Sequence, residues 1–199
     1  MGRITCHRGL LMPLRDGVRL MTDVYLPDDH GRFPVIVIRS PYNGCAKPSE
    51  DALAFARGGL GMVIQDCRGT GQSEGTPDYW RQEKNDAEDF FGWISRQVWF
   101  NGRLVTNGES YPGATQWQAA RLANPVMVGL TPHNAPLNAH EVCYFPGGAF
   151  GYGVGAFWSF GMRKTRSRID VNVNWRQACR LLPLRELDTK TGLGEWPLW

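Results

Sequence analysis

The chain has 199 residues, 42% hydrophobic and 21% charged, a make-up that predicts one globular domain, or one domain and part of a second. The net charge is a modest +3, and the five cysteines are scattered without a C-x-x-C pair, which argues against a disulfide framework or a zinc knuckle; no metal and no cofactor is expected. No apolar run approaches the roughly 18 residues that span a bilayer, and no long apolar leader follows Met1, so a cytoplasmic location with no membrane partner is the expectation.

In chain order, the opening reads as a β-hairpin. Leu11 to Leu14 leads to a turn at Asp16-Gly17, and Val18, Leu20, Thr22, Val24 and Leu26 then alternate on one face, as in an antiparallel edge. Val35 to Ile38 is an unbroken β-branched run of the kind found in a strand covered on both faces. Ser49 to Arg57 suits a short helix that stops at Gly58-Gly59, and Met62 to Ile64 reads as another buried strand.

Asp66 to Gly75 is glycine-rich and reads as a loop. Within it, Asp66 and Arg68 suggest a salt-bridged turn. Ala87, Phe90, Phe91 and Ile94 then recur at helical spacing, with Asp86, Glu88 and Asp89 placed mostly on the wet face. Leu104 to Thr106 is a third buried strand, Pro112 to Leu122 a helix, and Val126 to Leu130 a fourth strand. Such alternation is the mark of a mostly parallel sheet with crossover helices, an α/β fold.

Past about Asn134 glycines and aromatics crowd together and the strand pattern does not resume, which sets a boundary near residue 135. From Phe145 onward the chain holds eight basic and four acidic residues, with Arg163, Lys164, Arg166 and Arg168 as the visible source. No stacking motif accompanies them, so a solvated face is expected and no nucleic-acid partner.

One motif carries chemistry. Gly108-Glu109-Ser110-Tyr111-Pro112-Gly113 lies between a predicted strand and a predicted helix. In that setting a G-x-S sequence marks a sharp turn that holds the serine hydroxyl clear of the sheet edge, while small residues let strand and helix pass closely. The second glycine stands one place later than in G-x-S-x-G, and Pro112 fills its position, tolerable in the first turn of a helix. The Tyr111 N–H is then the natural first donor to an oxyanion, and a second is expected from Arg39-Ser40-Pro41-Tyr42-Asn43-Gly44, where Tyr42 offers either a phenol for that oxygen or a ring for packing.

The chain resembles the serine-hydrolase family that includes cocaine esterase, the Xaa-Pro dipeptidyl-peptidases and the α-amino-acid ester hydrolases. The residues that carry the resemblance are Met12-Pro13-Leu14-Arg15-Asp16-Gly17-Val18-Arg19-Leu20, Ser40-Pro41-Tyr42, Gln65-Asp66-Cys67-Arg68-Gly69 with Ser73-Glu74-Gly75, Trp99 with Asn101-Gly102, and Gly108 through Trp117. The resemblance implies a partial α/β-hydrolase core over residues 1–135 and the start of a helical cap over residues 136–199. It implies Ser110 as nucleophile, the Tyr111 backbone and the Tyr42 hydroxyl as oxyanion donors, and Trp158 as a substrate-binding residue. The substrate is then a small ester, amide or peptide. Glu141 is the only acid between Gly113 and Asp170, which offers little grip for an α-ammonium group and favours a simple ester or amide.

A serine alcohol needs a base and an acid, and in such folds these follow the cap. His133 and His140 alone among the four histidines come after Ser110, and the family's base is expected later than either. The apolar ending Glu195-Trp196-Pro197-Leu198-Trp199 adds to the expectation of a truncated chain that lacks its base.

Overall fold

Strand formation follows the β-branched runs, and the order of the strands brings two loops to one rim. The computed structural model describes residues 3–167, 173–192 and 194. It contains β1 (Thr5–Pro13), β2 (Arg19–Leu26), β3 (Phe33–Ser40), α1 (Glu50–Arg57), β4 (Gly61–Asp66), α2 (Glu83–Ile94), β5 (Phe100–Glu109), α3 (Tyr111–Ala120) and β6 (Met127–His133). These lie within the first of two compact units, Met1–Leu137 and Asn138–Trp199.

The six strands form one sheet in the order β1-β2-β4-β3-β5-β6. β1 pairs with β2, and β2 with β4, in antiparallel fashion, whereas β3 pairs in parallel with both β4 and β5, and β5 with β6. The hairpin is thus present, but its second strand is no edge: β2 lies between β1 and β4 and is buried from Leu20 to Leu26.

The pleat divides the core. On one face Leu20, Val24, Val35, Val37, Val63 and Leu104 pack with Ala87, Phe90, Phe91 and Ile94 of α2 and Ala119 of α3. On the other Met21, Tyr25, Met62 and Ile64 pack with Ala52, Leu53 and Phe55 of α1. Each fully buried large side chain contributes roughly 1.5–3 kcal/mol. Ser49 caps α1 by accepting from the Ala52 N–H, the side-chain cap that this residue type favours.

This division has a consequence for function. The connection after β3 runs through α1 on one face, and the connection after β5 runs through α3 on the other. Adjacent parallel strands whose connections leave on opposite sides open a crevice at their carboxyl ends, where α/β proteins bind ligands. That crevice lies between the ends of β3 and β5.

The second unit carries a π-helical turn at His140–Tyr144, a 3-10 turn at Pro146–Gly148, α4 (Tyr152–Ser167), α5 (Trp175–Ala178), a 3-10 turn at Leu184–Glu186 and α6 (Leu187–Lys190). Ala156, Phe160, Ala178 and Leu187 form its core, and the Tyr152 hydroxyl donates to the Ala178 carbonyl at 3.0 Å. Of the basic run, Arg163, Lys164 and Arg166 fall within α4, while Arg168 and the apolar ending at 195–199 lie outside the described residues. Among the described residues no helix is long and apolar enough to cross a membrane.

Candidate active site

The turn from β5 into α3 is built from its small residues. Ser110 adopts φ 62° and ψ −127°, a region that costs a non-glycine residue about 1–3 kcal/mol. It is held there by its own N–H, which donates to the His133 carbonyl at 2.9 Å, and by its carbonyl, which accepts from Gly113 and Ala114 at 2.9 and 3.1 Å. A Cβ on Gly108 would stand 2.4 Å from Cβ of Pro112, and one on Gly113 would stand 2.4 Å from Cβ of Ala135. Glycine at both places therefore lets helix and strand approach. Pro112 lies in the first turn of α3, as the sequence pattern requires.

This geometry leaves Ser110 exposed, with its Oγ 3.2 Å from the hydroxyl oxygen of Tyr42. Tyr42 follows β3 by two residues and has its own N–H bonded to Oγ of Ser40 at 3.1 Å. Tyr111 opens α3, so its backbone N–H belongs to the positive end of the helix beside Ser110. The structure thus brings together three of the four residues singled out from sequence. Trp158, the fourth, lies on α4 of the second unit, its ring edge-on to Tyr144 with centroids 6.5 Å apart.

Among the described residues no histidine side chain is hydrogen-bonded to Oγ of Ser110. His133 ends β6 and meets Ser110 through its backbone carbonyl, with its side chain exposed. Among the described residues, Tyr42 is the only side chain hydrogen-bonded to Oγ of Ser110. No group of three or more His, Cys, Asp or Glu side chains suited to a metal is found among the described residues.

Beneath the site lies a polar network that sequence patterning missed. The Tyr111 phenol is buried and donates to Oε1 of Glu83 at 2.9 Å, while accepting from the Trp80 N–H at 2.9 Å. Oε2 of Glu83 lies 3.2 Å from a terminal nitrogen of Arg39. Burial pushes the Glu83 carboxyl above its ordinary range, against the pull of Arg39 and the Tyr111 hydroxyl.

Two expectations need correction. Arg68 does not pair with Asp66: it is bonded to Asp86 at 2.7 Å and to Asp16 at 2.6 Å. Asp86 is therefore buried on α2 and not on its wet face, because the Arg68 guanidinium reaches it from the loop. Asp66 turns instead to the chain after Tyr42, where Oδ1 accepts from the Cys45 N–H at 3.3 Å.

Comparisons with known proteins give the chain's family and fold. The chain is 36% identical over 164 residues to cocaine esterase of Rhodococcus sp. (strain MB1 Bresler), an alignment that covers 79% of this chain and 29% of that protein. A CocE/NonD family hydrolase from Staphylococcus aureus superimposes with a TM-score of 0.74 at 25% identity, covering 88% of this chain and 35% of that one. An α-amino acid ester hydrolase superimposes with a TM-score of 0.79 at 20% identity over 100% of this chain and 37% of that one, which shows the fold. The chain spans less than a third of the length of the curated relatives it matches. The family model for X-Pro dipeptidyl-peptidases (S15 family) matches residues 16–197, and the chain belongs to that family of α/β hydrolases.

Proposed function

We propose that Ser110 is the nucleophile of an acyl hydrolase that cleaves a carboxylic ester or amide through an acyl-serine. The observation that carries this reading is the exposed Ser110 hydroxyl, held in a left-handed turn 3.2 Å from the Tyr42 phenol. Oγ attacks the substrate carbonyl carbon as its proton passes to a general base supplied by the full-length protein, which returns it to the leaving alcohol or amine. The oxygen that becomes negative is met by two donors, the Tyr42 O–H and the Tyr111 N–H. Collapse of the tetrahedral intermediate expels the alcohol or amine, and water then releases the acid. Trp158 belongs to this reading as a substrate-binding residue by family resemblance alone, and Trp158→Ala should raise KM for bulky acyl groups.

Labelling with a fluorophosphonate tests the assignment. In the full-length gene product the parent should label and Ser110→Ala should not; equal labelling of both sinks it. A simple ester is favoured over a substrate gripped by its α-ammonium group, since Glu141 is the sole acid between Gly113 and Asp170.

A second reading concerns the 199-residue chain by itself. Among the described residues no imidazole is hydrogen-bonded to Oγ of Ser110, and loss of the base from such a constellation lowers turnover by about four to six orders of magnitude. We infer that this polypeptide alone is close to inert. Hydrolysis of p-nitrophenyl acetate at a rate typical of an intact esterase would overturn that inference.

A further inference from the structure

Two donors that share one oxyanion act fully only if their separation is fixed before charge develops. Here they sit on different elements, Tyr42 after β3 and Tyr111 at the head of α3. Hydrogen bonds weaken steeply with misalignment, so something must tie the two elements together.

The side chain of Tyr111 points away from the reacting atoms into the core, and there it begins a continuous polar chain. Its hydroxyl donates to Glu83 Oε1 at 2.9 Å. The other oxygen of Glu83 lies 3.2 Å from Nη2 of Arg39, an ion pair not aligned as a hydrogen bond; the directional link is Nη1 of Arg39, which donates to the Glu83 backbone carbonyl at 3.1 Å. Nε of Arg39 continues to Gln65 Oε1 on β4 at 3.0 Å, and Gln65 Nε2 continues to Thr22 Oγ1 on β2 at 3.0 Å. Arg39 stands three residues before Tyr42, and its backbone carbonyl lies 3.3 Å from the Thr115 hydroxyl of α3. The network therefore starts at one donor and passes through the root of the other, with Gln65 and Thr22 anchoring Arg39 to the neighbouring strands.

Stability alone does not account for it. Arg39 is 5% and Glu83 1% exposed. Taking two such charges out of water costs several kcal/mol each, and apolar replacements of a buried pair are often neutral or stabilising. What apolar side chains do not provide is a directional, fixed length between two backbones.

We propose that the Tyr111–Glu83–Arg39 chain is a positioning strut that holds the two oxyanion donors in register. It rests on the reading of Ser110 as nucleophile. Glu83 and the Tyr111 phenol are positioning residues, since neither reaches the reacting atoms; they act through the Tyr111 backbone and the loop that bears Tyr42.

Tyr111→Phe removes one hydroxyl and leaves both the ring and the backbone N–H in place. Amide exchange followed by mass spectrometry on the 199-residue chain should show about tenfold faster exchange in residues 40–46 as well as in residues 108–116, corresponding to loss of a typical buried hydrogen bond. Ile94→Val, a buried apolar deletion on the same helix as Glu83, serves as the control and should leave residues 40–46 at the parent rate. If Tyr111→Phe loosens only residues 108–116, or if the control loosens residues 40–46 equally, the strut is refuted. A kinetic readout on the full-length gene product separates positioning from folding: the maximal rate of Ser110 labelling by a fluorophosphonate should fall about tenfold at unchanged half-saturating concentration, the pattern of an interaction made only in the transition state. An unchanged maximal rate with weaker saturation counts against the proposal. Failure of the hydrolase reading shows separately, as labelling that survives Ser110→Ala, and leaves the exchange comparison standing.

Discussion

Oγ of Ser110 and the hydroxyl of Tyr42 stand 3.2 Å apart although 68 residues separate them in the chain. The pairing of β3 with β5 explains how. Val37 lies opposite Thr106 in a parallel register, so the two strands end side by side and release their loops onto the same rim. A shift of register by one residue would move Val37 from the face packed on α2 and α3 to the face packed on α1, and would also separate Tyr42 from Ser110. The core that fixes the register thereby fixes the site.

Tyr42→Phe isolates what that hydroxyl does. The ring and its packing are kept, and only the donor is lost. If the phenol stabilises the oxyanion, the labelling or acylation rate of the full-length gene product falls by about two to three orders of magnitude, as for other single oxyanion donors, while KM stays near its parent value. A loss expressed wholly in KM would mean that the hydroxyl binds substrate in the ground state.

The elbow should resist even one added methyl group. In Gly113→Ala the new Cβ meets Ala135 Cβ at 2.4 Å and the Gly108 carbonyl at 3.0 Å, both on packed segments. Overpacking of this kind costs about 1–3 kcal/mol, expected as a lower urea midpoint at unchanged slope. A midpoint equal to the parent's would show that strand and helix have room to part.

How much of this was legible in the residues depended on the signal each one gives. Apolar runs such as Val35 to Ile38 announce a central strand because few other environments accept four β-branched side chains in a row. Gly108, Ser110 and Gly113 announce the elbow because the turn admits few other residues at those places. Glu83 and Asp86 gave no such warning. Charged side chains are read as wet unless paired, and their partners come from distant segments: Arg39 from β3 for Glu83, and Arg68 from the glycine-rich loop for Asp86. The one hint was Arg39 itself, an arginine that continues the β-branched run. For Trp158 no sequence signal beyond family resemblance exists.

The Arg68–Asp86 pair should matter more than the surface pairs near it. The Asp86 side chain is 2% exposed and that of Arg68 14%. Asp86→Ala leaves the guanidinium with Asp16 alone, so the cost should fall below the roughly 3–5 kcal/mol of a wholly stranded buried charge while staying above about 1 kcal/mol. Glu88→Gln, which removes an exposed partner of Arg15, should leave the thermal midpoint unchanged within error. Equal effects of the two variants would show that Arg68 finds solvent or another partner when Asp86 is gone.

Asp66 gives the loop behind Tyr42 a dependence on pH. Its carboxyl accepts from the Cys45 N–H, yet burial dominates and raises its pKa from 3.8 to about 6. A carboxyl that protonates more readily when folded than when unfolded stabilises the fold fully below about pH 4, and that contribution is lost as pH rises through about 6. The cost accumulated by pH 7 is roughly 3 kcal/mol. Asp66→Asn keeps an oxygen for the Cys45 N–H and has nothing to ionise. Its stability relative to the parent should therefore climb between about pH 4 and pH 7 and level off above, measured as the difference in urea midpoints across that range. A difference that stays flat would mean that Asp66 keeps an ordinary pKa in the fold. One that falls would mean that the ionised form is the better bound, so that the backbone N–H groups around it outweigh burial.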